Sequence, residues 1–474
     1  MTHAEVETKA LNGDEVLDLY DLDRARLDSM TGLEEGCTRP PGEARVTDLP
    51  GIEEEGQEGG EAGEGIPDGG YGWVVVGCMV AMNACTWGMN TTYGVFTAYY
   101  MQNNYFNGGS TFRYAWAGGL AVATGLACGP LANLLCRAFG IRVPLILGMV
   151  CISLGQCLAG ICTQYWSFLI CQGVVFGIGL GCMLITTSPL LAHWFDRRLS
   201  LAQGFANGGS GLGGLIFANT TRLALERLGV KWALIINGCI SLVVLLPVVF
   251  LLKGRHKALQ TRSMSLELKW FVHPGFVWIL LWACFCMIAY FVALYSLAAF
   301  ATSGLGLSQA KGASLQSILS AAQMIGRPCW GLALDKGGRI NMTAICYLVV
   351  GISCLAIWLP ATSYGVLVLF AIVQGATSGT IWNAAAPITA QMVGVKHLAS
   401  ALSIFWVTLA IPALVGQPLA ILLLEFSENH QGRTGASAYY NTIGFSGAMG
   451  ITGSLMLIGA KRYQQGNWKI LTKS

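Results

Sequence analysis

Residues 271–301 read FVHPGFVWILLWACFCMIAYFVALYSLAAFA and contain no Asp, Glu, Lys or Arg. A helix of about 20 apolar residues crosses the hydrocarbon core of a bilayer, so this stretch is long enough to span a membrane. The whole chain of 474 residues has a matching composition, with 54% hydrophobic and 11% charged residues. Because so few polar side chains cannot cover a soluble globule, the sequence predicts an integral membrane protein.

Similar apolar stretches recur along the chain after Tyr71. They predict an all-α membrane protein with twelve transmembrane helices. The fifth stretch is crowded with glycine, which suits a membrane helix whose backbone approaches a neighbour closely. The predicted helices cover residues 73–100, 114–136, 143–162, 168–194, 199–221, 232–252, 271–301, 313–334, 342–360, 364–393, 398–424 and 439–460.

An even number of spans places both termini on the same side of the membrane. The loops on that side, such as residues 137–142, 253–257 and 336–339, carry far more Lys and Arg than the opposite loops. Basic loops remain in the cytosol, so both termini are predicted to be cytosolic. The plasma membrane is the expected location, and an internal membrane is the alternative.

A basic stretch at residues 253–270 separates the sixth predicted helix from the seventh. It predicts two six-helix halves, residues 68–252 and 271–461, joined by a cytosolic linker. Residues 1–67 are acidic and poor in aromatic residues, so they cannot bury enough apolar area to fold alone. They are predicted to form a disordered cytosolic tail, either without specific function or regulatory, and residues 462–474 a short second tail.

The carboxylates after residue 68 all lie between the apolar stretches or at their ends. They are Asp196, Glu226, Glu267, Asp335, Glu425 and Glu428. The predicted membrane helices therefore contain no acid. This leaves any cation inside those helices without an obvious fixed partner.

One arginine, Arg327, lies well inside the apolar stretch QSILSAAQMIGRPCWGLAL, residues 316–334. Ionisable groups at such depth are rare and are functional-site candidates. A buried cation without a nearby acid predicts an anionic cargo. The alternative is that Arg327 bonds helix carbonyls or extends toward the cytosol, since a long side chain can reach the interface.

Two cytosolic loops occupy equivalent places in the predicted halves. Residues 331–339, GLALDKGGR, are similar to a loop pattern that recurs in the major facilitator superfamily. Asp335 is suited to hold the N-terminus of a neighbouring helix, while Lys336 and Arg339 keep the loop in the cytosol. The equivalent loop of the first half has Asn133 where an aspartate would stand, so its contact is expected to be weaker.

The first predicted helix opens with PDGGYGWVVVGCMV, residues 67–80. This motif resembles the opening signature of the monocarboxylate transporter (monocarboxylate porter) family of the major facilitator superfamily. Read locally, Asp68 is suited to cap the first helical turn and Trp73 to anchor the helix at the membrane interface. The residues that fit the signature are Asp68, Gly69, Gly70, Gly72 and Trp73.

A second stretch, WFDRRLSLAQGFANGGSGLGG at residues 194–214, also resembles the family, with Arg197 and Arg198 in its conserved opening. The resemblance covers about residues 67–460, and the short linker and C-terminal tail are similar to those of fungal members. It implies a major facilitator fold and secondary transport of a small monocarboxylate by alternating access between the two halves.

The resemblance also assigns roles to single residues. Arg327 matches the arginine with which family members hold the substrate carboxylate. Proton-coupled animal members have an aspartate where this chain has Gln323, and a lysine where it has Thr91. The histidines all fall in the tail or near helix ends. We therefore expect no Lys/Asp proton relay, and either facilitated diffusion (uniport) or a proton carried on the substrate (symport).

Further polar and aromatic residues are candidates for the substrate path, with helix packing as the alternative. On the first helix they recur at i, i+4, i+7 and i+8 and so share a face: Asn83, Trp87, Asn90 and Thr91. On the seventh and tenth helices they are Tyr290, Tyr295, Trp382 and Asn383.

Other classes of protein are not supported by any motif. There is no phosphate-binding G-x-x-x-x-G-K-[ST] loop, and no catalytic triad can be assembled from helices that lack acid. We predict no enzyme activity, no cofactor, no metal and no nucleic-acid partner. The expected partners are a small solute and the lipid bilayer. The alternatives are a carrier of another solute, such as a vitamin or polyol, or a nutrient sensor that does not transport.

Overall fold

The computed structural model describes residues 68–102, 111–254, 268–395 and 397–465. Within these ranges the chain forms helices joined by short turns and contains no strand. The predicted tail at 1–67 lies outside the described residues, as do most of the linker at 253–270 and of the tail at 462–474. The last helix continues to Gln465.

Twelve membrane-spanning helices, α1 to α12, follow from the described residues. The first six are α1 (Gly72–Asn83, Ala84–Gly88, Met89–Thr91 and Tyr93–Gln102), α2 (Thr111–Ala127 and Gly129–Phe139), α3 (Arg142–Ala159), α4 (Tyr165–Phe168, Leu169–Val175, Phe176–Thr187 and Leu190–His193), and α5 and α6 as the two parts of Leu199–Leu251. The second six are α7 (Pro274–Ala299 and Phe300–Gly304, after the turn Leu268–Phe271), α8 (Gln309–Gly337), α9 (Arg339–Ser353 and Cys354–Trp358), α10 (Tyr364–Ser378 and Thr380–Val393), α11 (Leu398–Gln431) and α12 (Gly435–Tyr439 and Tyr440–Gln465).

By length and composition, nine helices of the described chain are long and apolar enough to cross a membrane, or ten if the bent pair in α2 counts as one span. One of the nine, Leu199–Leu251, has 53 residues and is far too long for a single span. It divides at Gly229, whose φ of +79° is a conformation that glycine adopts easily. With this division, and with the more polar α8 added, the prediction of twelve helices agrees with the structure.

Glycines let α5 pack closely against two neighbours. A methyl group on Gly209 or Gly213 would collide with the carbonyl oxygens of Val80 and Ala84 in α1. On another face of α5, a methyl group on Gly204 would lie 2.6 Å from the carbonyl oxygen of Arg327 in α8. The expectation that this helix approaches its neighbours closely is confirmed, and α5 lies between α1 of its own half and α8 of the other.

Candidate functional site

Arg327 is buried between α8 and α5, with 4% of its surface exposed. Its Nη1 donates hydrogen bonds to the carbonyl oxygen of Asn207, at 2.6 Å, and to Oγ of Ser210. Its Nη2 donates to Oε1 of Gln323 at 2.8 Å. Nε has no hydrogen-bond partner among the described residues. The guanidinium therefore joins the second six helices to the first.

Every acceptor that the structure gives Arg327 is neutral. Ion pairs between described residues include Arg222 with Glu226 and Arg339 with Asp335, and neither of these involves Arg327. Removing a cation from water is costly unless an opposite charge or several hydrogen bonds compensate. The three bonds satisfy part of the guanidinium but leave its charge unbalanced. This is the electrostatic setting in which an anion is bound favourably.

The alternative interpretation of Arg327 is partly correct. The side chain does bond a helix carbonyl, that of Asn207, although on another helix and not its own. It does not extend to the cytosol, because the whole residue is buried. Gly379, at the break between the two parts of α10, makes room for it: a methyl group there would lie 2.6 Å from Nε.

Asn207 and Ser210 are site residues that the sequence analysis missed. Asn207 also donates from Nδ2 to the carbonyl oxygen of Trp382 at 2.8 Å, and Asn383 donates to the carbonyl oxygen of Arg327 at 2.8 Å. The predicted pair Trp382 and Asn383 is thus brought next to Arg327. A signal existed in the sequence, since Asn207 and Ser210 are polar residues three positions apart among the glycines of α5.

Aromatic rings form a row beside this polar cluster. The ring centroids of Trp87 in α1 and Trp382 in α10 are 5.0 Å apart, and Trp382 stacks on Trp406 of α11 at 5.2 Å and 16°. Tyr290 of α7 lies 6.5 Å from Trp382, ring to ring. Trp406 was not among the predicted residues. We call Trp87, Trp382 and Trp406 the tryptophan row.

The two tyrosines of α7 have different surroundings. The hydroxyl of Tyr290 accepts a long hydrogen bond, 3.5 Å, from Nε2 of Gln323, the residue that also accepts from Arg327. Tyr295 stacks on Phe291 with ring centroids 5.7 Å apart and an angle of 7°. Tyr290 therefore belongs to the Arg327 cluster by hydrogen bonding, whereas Tyr295 makes a ring-packing contact.

The residues of the predicted polar stripe on α1 differ in their contacts. Asn83 is buried and donates to the carbonyl oxygen of Ala206 in α5, and Thr91 donates to the carbonyl oxygen of Gly88 in its own helix. Asn90 is also buried. The π-helical turn Ala84–Gly88 widens the helix and shifts the register between Asn83 and Asn90. Within this stripe, Trp87 makes the ring contact with Trp382.

Asp68 does not cap its own helix, which corrects the local interpretation. No side chain caps the start of α1, and Oδ1 of Asp68 instead accepts from the backbone amides of Asp196 at 2.8 Å and Arg197 at 3.0 Å, with Arg198 at 3.5 Å. The positive φ of Asp68 and Gly70 directs this turn. Trp73 packs on the ring of Phe195 at 5.1 Å. The two motif stretches therefore contact each other.

Asp335 links α8 to the first turn of α5. Its carboxylate accepts from the backbone amides of Ser200 at 3.0 Å and Leu201 at 2.8 Å. Arg339 donates to the carbonyl oxygen of Asp196 at 2.7 Å, and Lys336 is exposed. The equivalent contact in the first half is a single bond of 3.4 Å from Asn133 to the carbonyl oxygen of Ala399. The two halves therefore meet at the end with the basic loops, more firmly through Asp335.

Comparison with known proteins identifies the fold. Residues 76–359 and 303–467 match the Major Facilitator Superfamily. The chain belongs to this superfamily. A relative in Saccharomyces cerevisiae, the probable transporter MCH2, is 34% identical over 387 residues, which cover 81% of this chain and 80% of MCH2. The fujikurins efflux protein of Gibberella fujikuroi is 27% identical over 400 residues, 84% of each chain.

Solved structures of superfamily members have the same fold. The proton:xylose symporter XylE with bound 6-bromo-6-deoxy-D-glucose aligns with a TM-score of 0.65 at 13% identity, over 84% of this chain and 96% of XylE. FucP in the outward conformation aligns with a TM-score of 0.60 at 14% identity, over 82% of this chain and 99% of FucP. This major facilitator protein is therefore a multi-pass membrane protein and a secondary transporter of small solutes, and not an enzyme.

The unequal contacts of Asp335 and Asn133 predict unequal effects on the conformation of the transporter. Hydrogen bonds to a charged group contribute about 1.5–3 kcal/mol each, against about 1 kcal/mol for a neutral bond. We expect Asp335→Ala to raise the fraction of transporter molecules that are open at the basic-loop end about tenfold or more. Asn133→Ala is expected to change this fraction by less than about threefold.

Distances between spin labels at Arg137 and Lys336, both exposed and in different halves, measure this population. The labels are placed in a background without native cysteines. Equal distance distributions for the two alanine variants would contradict the prediction.

Proposed function

We propose that this chain carries small monocarboxylates by alternating access, with the guanidinium of Arg327 holding the substrate carboxylate. The observation that carries the proposal is a buried cation between the two halves whose hydrogen-bond acceptors, among the described residues, are all neutral. A hydrogen bond from a guanidinium to a carboxylate is shorter and stronger than one to a neutral acceptor. A substrate carboxylate therefore competes well for the donors of Arg327. The family resemblance of residues 67–80 and 194–214 supports the same substrate class.

The bonds from Arg327 to α5 suggest how binding is linked to movement. Asn207 and Ser210 belong to the first half, whereas Arg327 belongs to the second. A carboxylate that takes Nη1 replaces these acceptors and removes a contact between the halves. Binding energy is then converted into freedom of the halves to move, as alternating access requires.

The proposed mechanism has no proton relay in the protein. Gln323 bonds Arg327 through a neutral amide, and Thr91 bonds its own helix. Neither side chain gains or loses a proton near neutral pH. We infer facilitated diffusion of the anion that Arg327 binds. The two halves are then residues 68–252 and 271–461, both termini lie in the cytosol, and the plasma membrane is the proposed location.

Uptake into liposomes containing the purified protein tests this function. We expect saturable uptake of labelled pyruvate or propionate and none of the matched amides, which lack the charge that Arg327 requires. A short alkyl sulfonate is charged and does not titrate, so it is expected to inhibit uptake without moving protons. Proton influx coupled one-to-one to that sulfonate would refute the absence of a relay, and equal uptake of acids and amides would refute the substrate class.

A further inference from the structure

The tryptophan row crosses the boundary between the two six-helix sets. Trp87 belongs to α1, while Trp382 and Trp406 belong to α10 and α11 of the second set. The contact of 5.0 Å between Trp87 and Trp382 is therefore one that has to break or slide when the halves move. The stacked pair Trp382 and Trp406, at 5.2 Å, moves as one unit because both rings belong to the same half.

The exposure of the row differs along its length. Trp406 has 1% of its surface exposed, and the tryptophans Trp282 and Trp358 elsewhere in the second half are completely buried. These helices can thus enclose an indole entirely. Trp87 and Trp382 are only half-buried. Two large half-buried indoles at the boundary between the halves offer apolar surface to a bound solute.

The half-buried indoles are connected to Arg327 along two short routes. On one side, Arg327 bonds Gln323, Gln323 bonds the hydroxyl of Tyr290, and the ring of Tyr290 lies 6.5 Å from that of Trp382. On the other side, Asn207 accepts from Arg327 through its carbonyl oxygen and donates to the carbonyl oxygen of Trp382. A cation and a flat apolar wall are therefore side by side.

We propose that the preferred substrate is a monocarboxylate with a flat aromatic body, whose ring packs against Trp87 and Trp382 while its carboxylate bonds Arg327. This inference rests on the proposed function and narrows its substrate class. An aliphatic acid of two or three carbons satisfies the arginine but covers little of the indole surface. An aromatic acid satisfies both, and aromatic rings gain further from offset or edge-to-face contact.

Competition against a labelled carboxylate tests the inference first in the unmodified protein. Phenylacetate, acetate and phenylacetamide are compared as inhibitors in liposomes. We expect phenylacetate to inhibit at concentrations about tenfold or more below those of acetate, and phenylacetamide to inhibit weakly because it has no charge. If acetate or propionate inhibits as well as phenylacetate, the inference is wrong whatever happens in any variant.

The variants Trp87→Leu and Trp382→Leu then locate the ring contact. Both are expected to remove most of the preference for phenylacetate while acetate inhibition changes less than about threefold. Trp166→Leu is the matched control, since this indole is 70% exposed, and it is expected to keep the preference. Equal loss of both acids in the Trp382 variant would indicate packing alone and overturn the inference.

The failure of the aromatic inference and that of the proposed function are distinguishable. If an Arg327→Gln variant still binds both acids, Arg327 does not hold the substrate carboxylate and the proposed function is wrong. A protein in which Arg327→Gln loses both acids, but which never distinguishes phenylacetate from acetate, keeps the proposed function and loses only the aromatic preference.

Discussion

Replacing Arg327 with glutamine is expected to lower carboxylate uptake about 100-fold or more while leaving the protein folded. Truncating one partner of a buried charged pair costs roughly 2–5 kcal/mol, and about 2.7 kcal/mol is already a factor of 100. Folding survives because the substitution removes a buried charge that neutral groups alone compensate. Uptake in liposomes and the melting temperature of the purified variant measure the two effects.

Arg222→Gln is the matched control for this substitution. Its side chain is 62% exposed and pairs with Glu226 at 3.8 Å, a surface ion pair that contributes little. We expect normal uptake and a normal melting temperature for the control. Undiminished carboxylate uptake by the Arg327→Gln variant would contradict substrate selection by Arg327. It would not affect the helical fold.

The second large effect is expected from Gly209→Val, which we predict to abolish folding. The new side chain would occupy the position of the Val80 carbonyl, so α1 and α5 would have to separate. The hydrogen bond of 2.8 Å from Asn83 to the carbonyl oxygen of Ala206 would be lost with that contact. Overpacking costs about 1–3 kcal/mol even where neighbours can adjust, and a backbone carbonyl adjusts poorly.

Gly77→Val provides the comparison on α1. Gly77 is exposed, and a methyl group there meets nothing within 4 Å. We expect this variant to give a single symmetric peak on size-exclusion chromatography, and the Gly209 variant to give aggregate or no protein. A Gly209 variant that elutes and melts like the control would show that the α1 to α5 contact is not required.

Local patterns were sufficient for most of the fold. Each membrane helix is recognised from its own apolar residues, because the bilayer acts on every segment separately. The main difficulty was α8, where Arg327, Gln323 and the residues near its ends make the helix more polar than its neighbours. The apolar residues of 313–334 predicted a helix there, and the structure contains one at Gln309–Gly337.

The candidate site was predictable only in part. Arg327 stood out because charge inside an apolar stretch is costly, a property of the sequence itself. Its partners Asn207 and Ser210 lie 120 and 117 positions away, and no local pattern links them. Asp68 shows the same limit: a rule for helix caps assigned it to the next turn, whereas it bonds the amides of residues 128 and 129 positions further on.

The sequence by itself determined that this protein is a twelve-helix membrane transporter with one deeply placed cation and no acid inside the predicted apolar spans. Burial in lipid depends on the composition of each segment, and that is written residue by residue. Only the tertiary structure decided that α5 lies between α1 and α8, that Arg327 joins the two halves, and that Trp87 meets Trp382. These contacts depend on which helix faces meet, and a single π turn in α1 is enough to change that face.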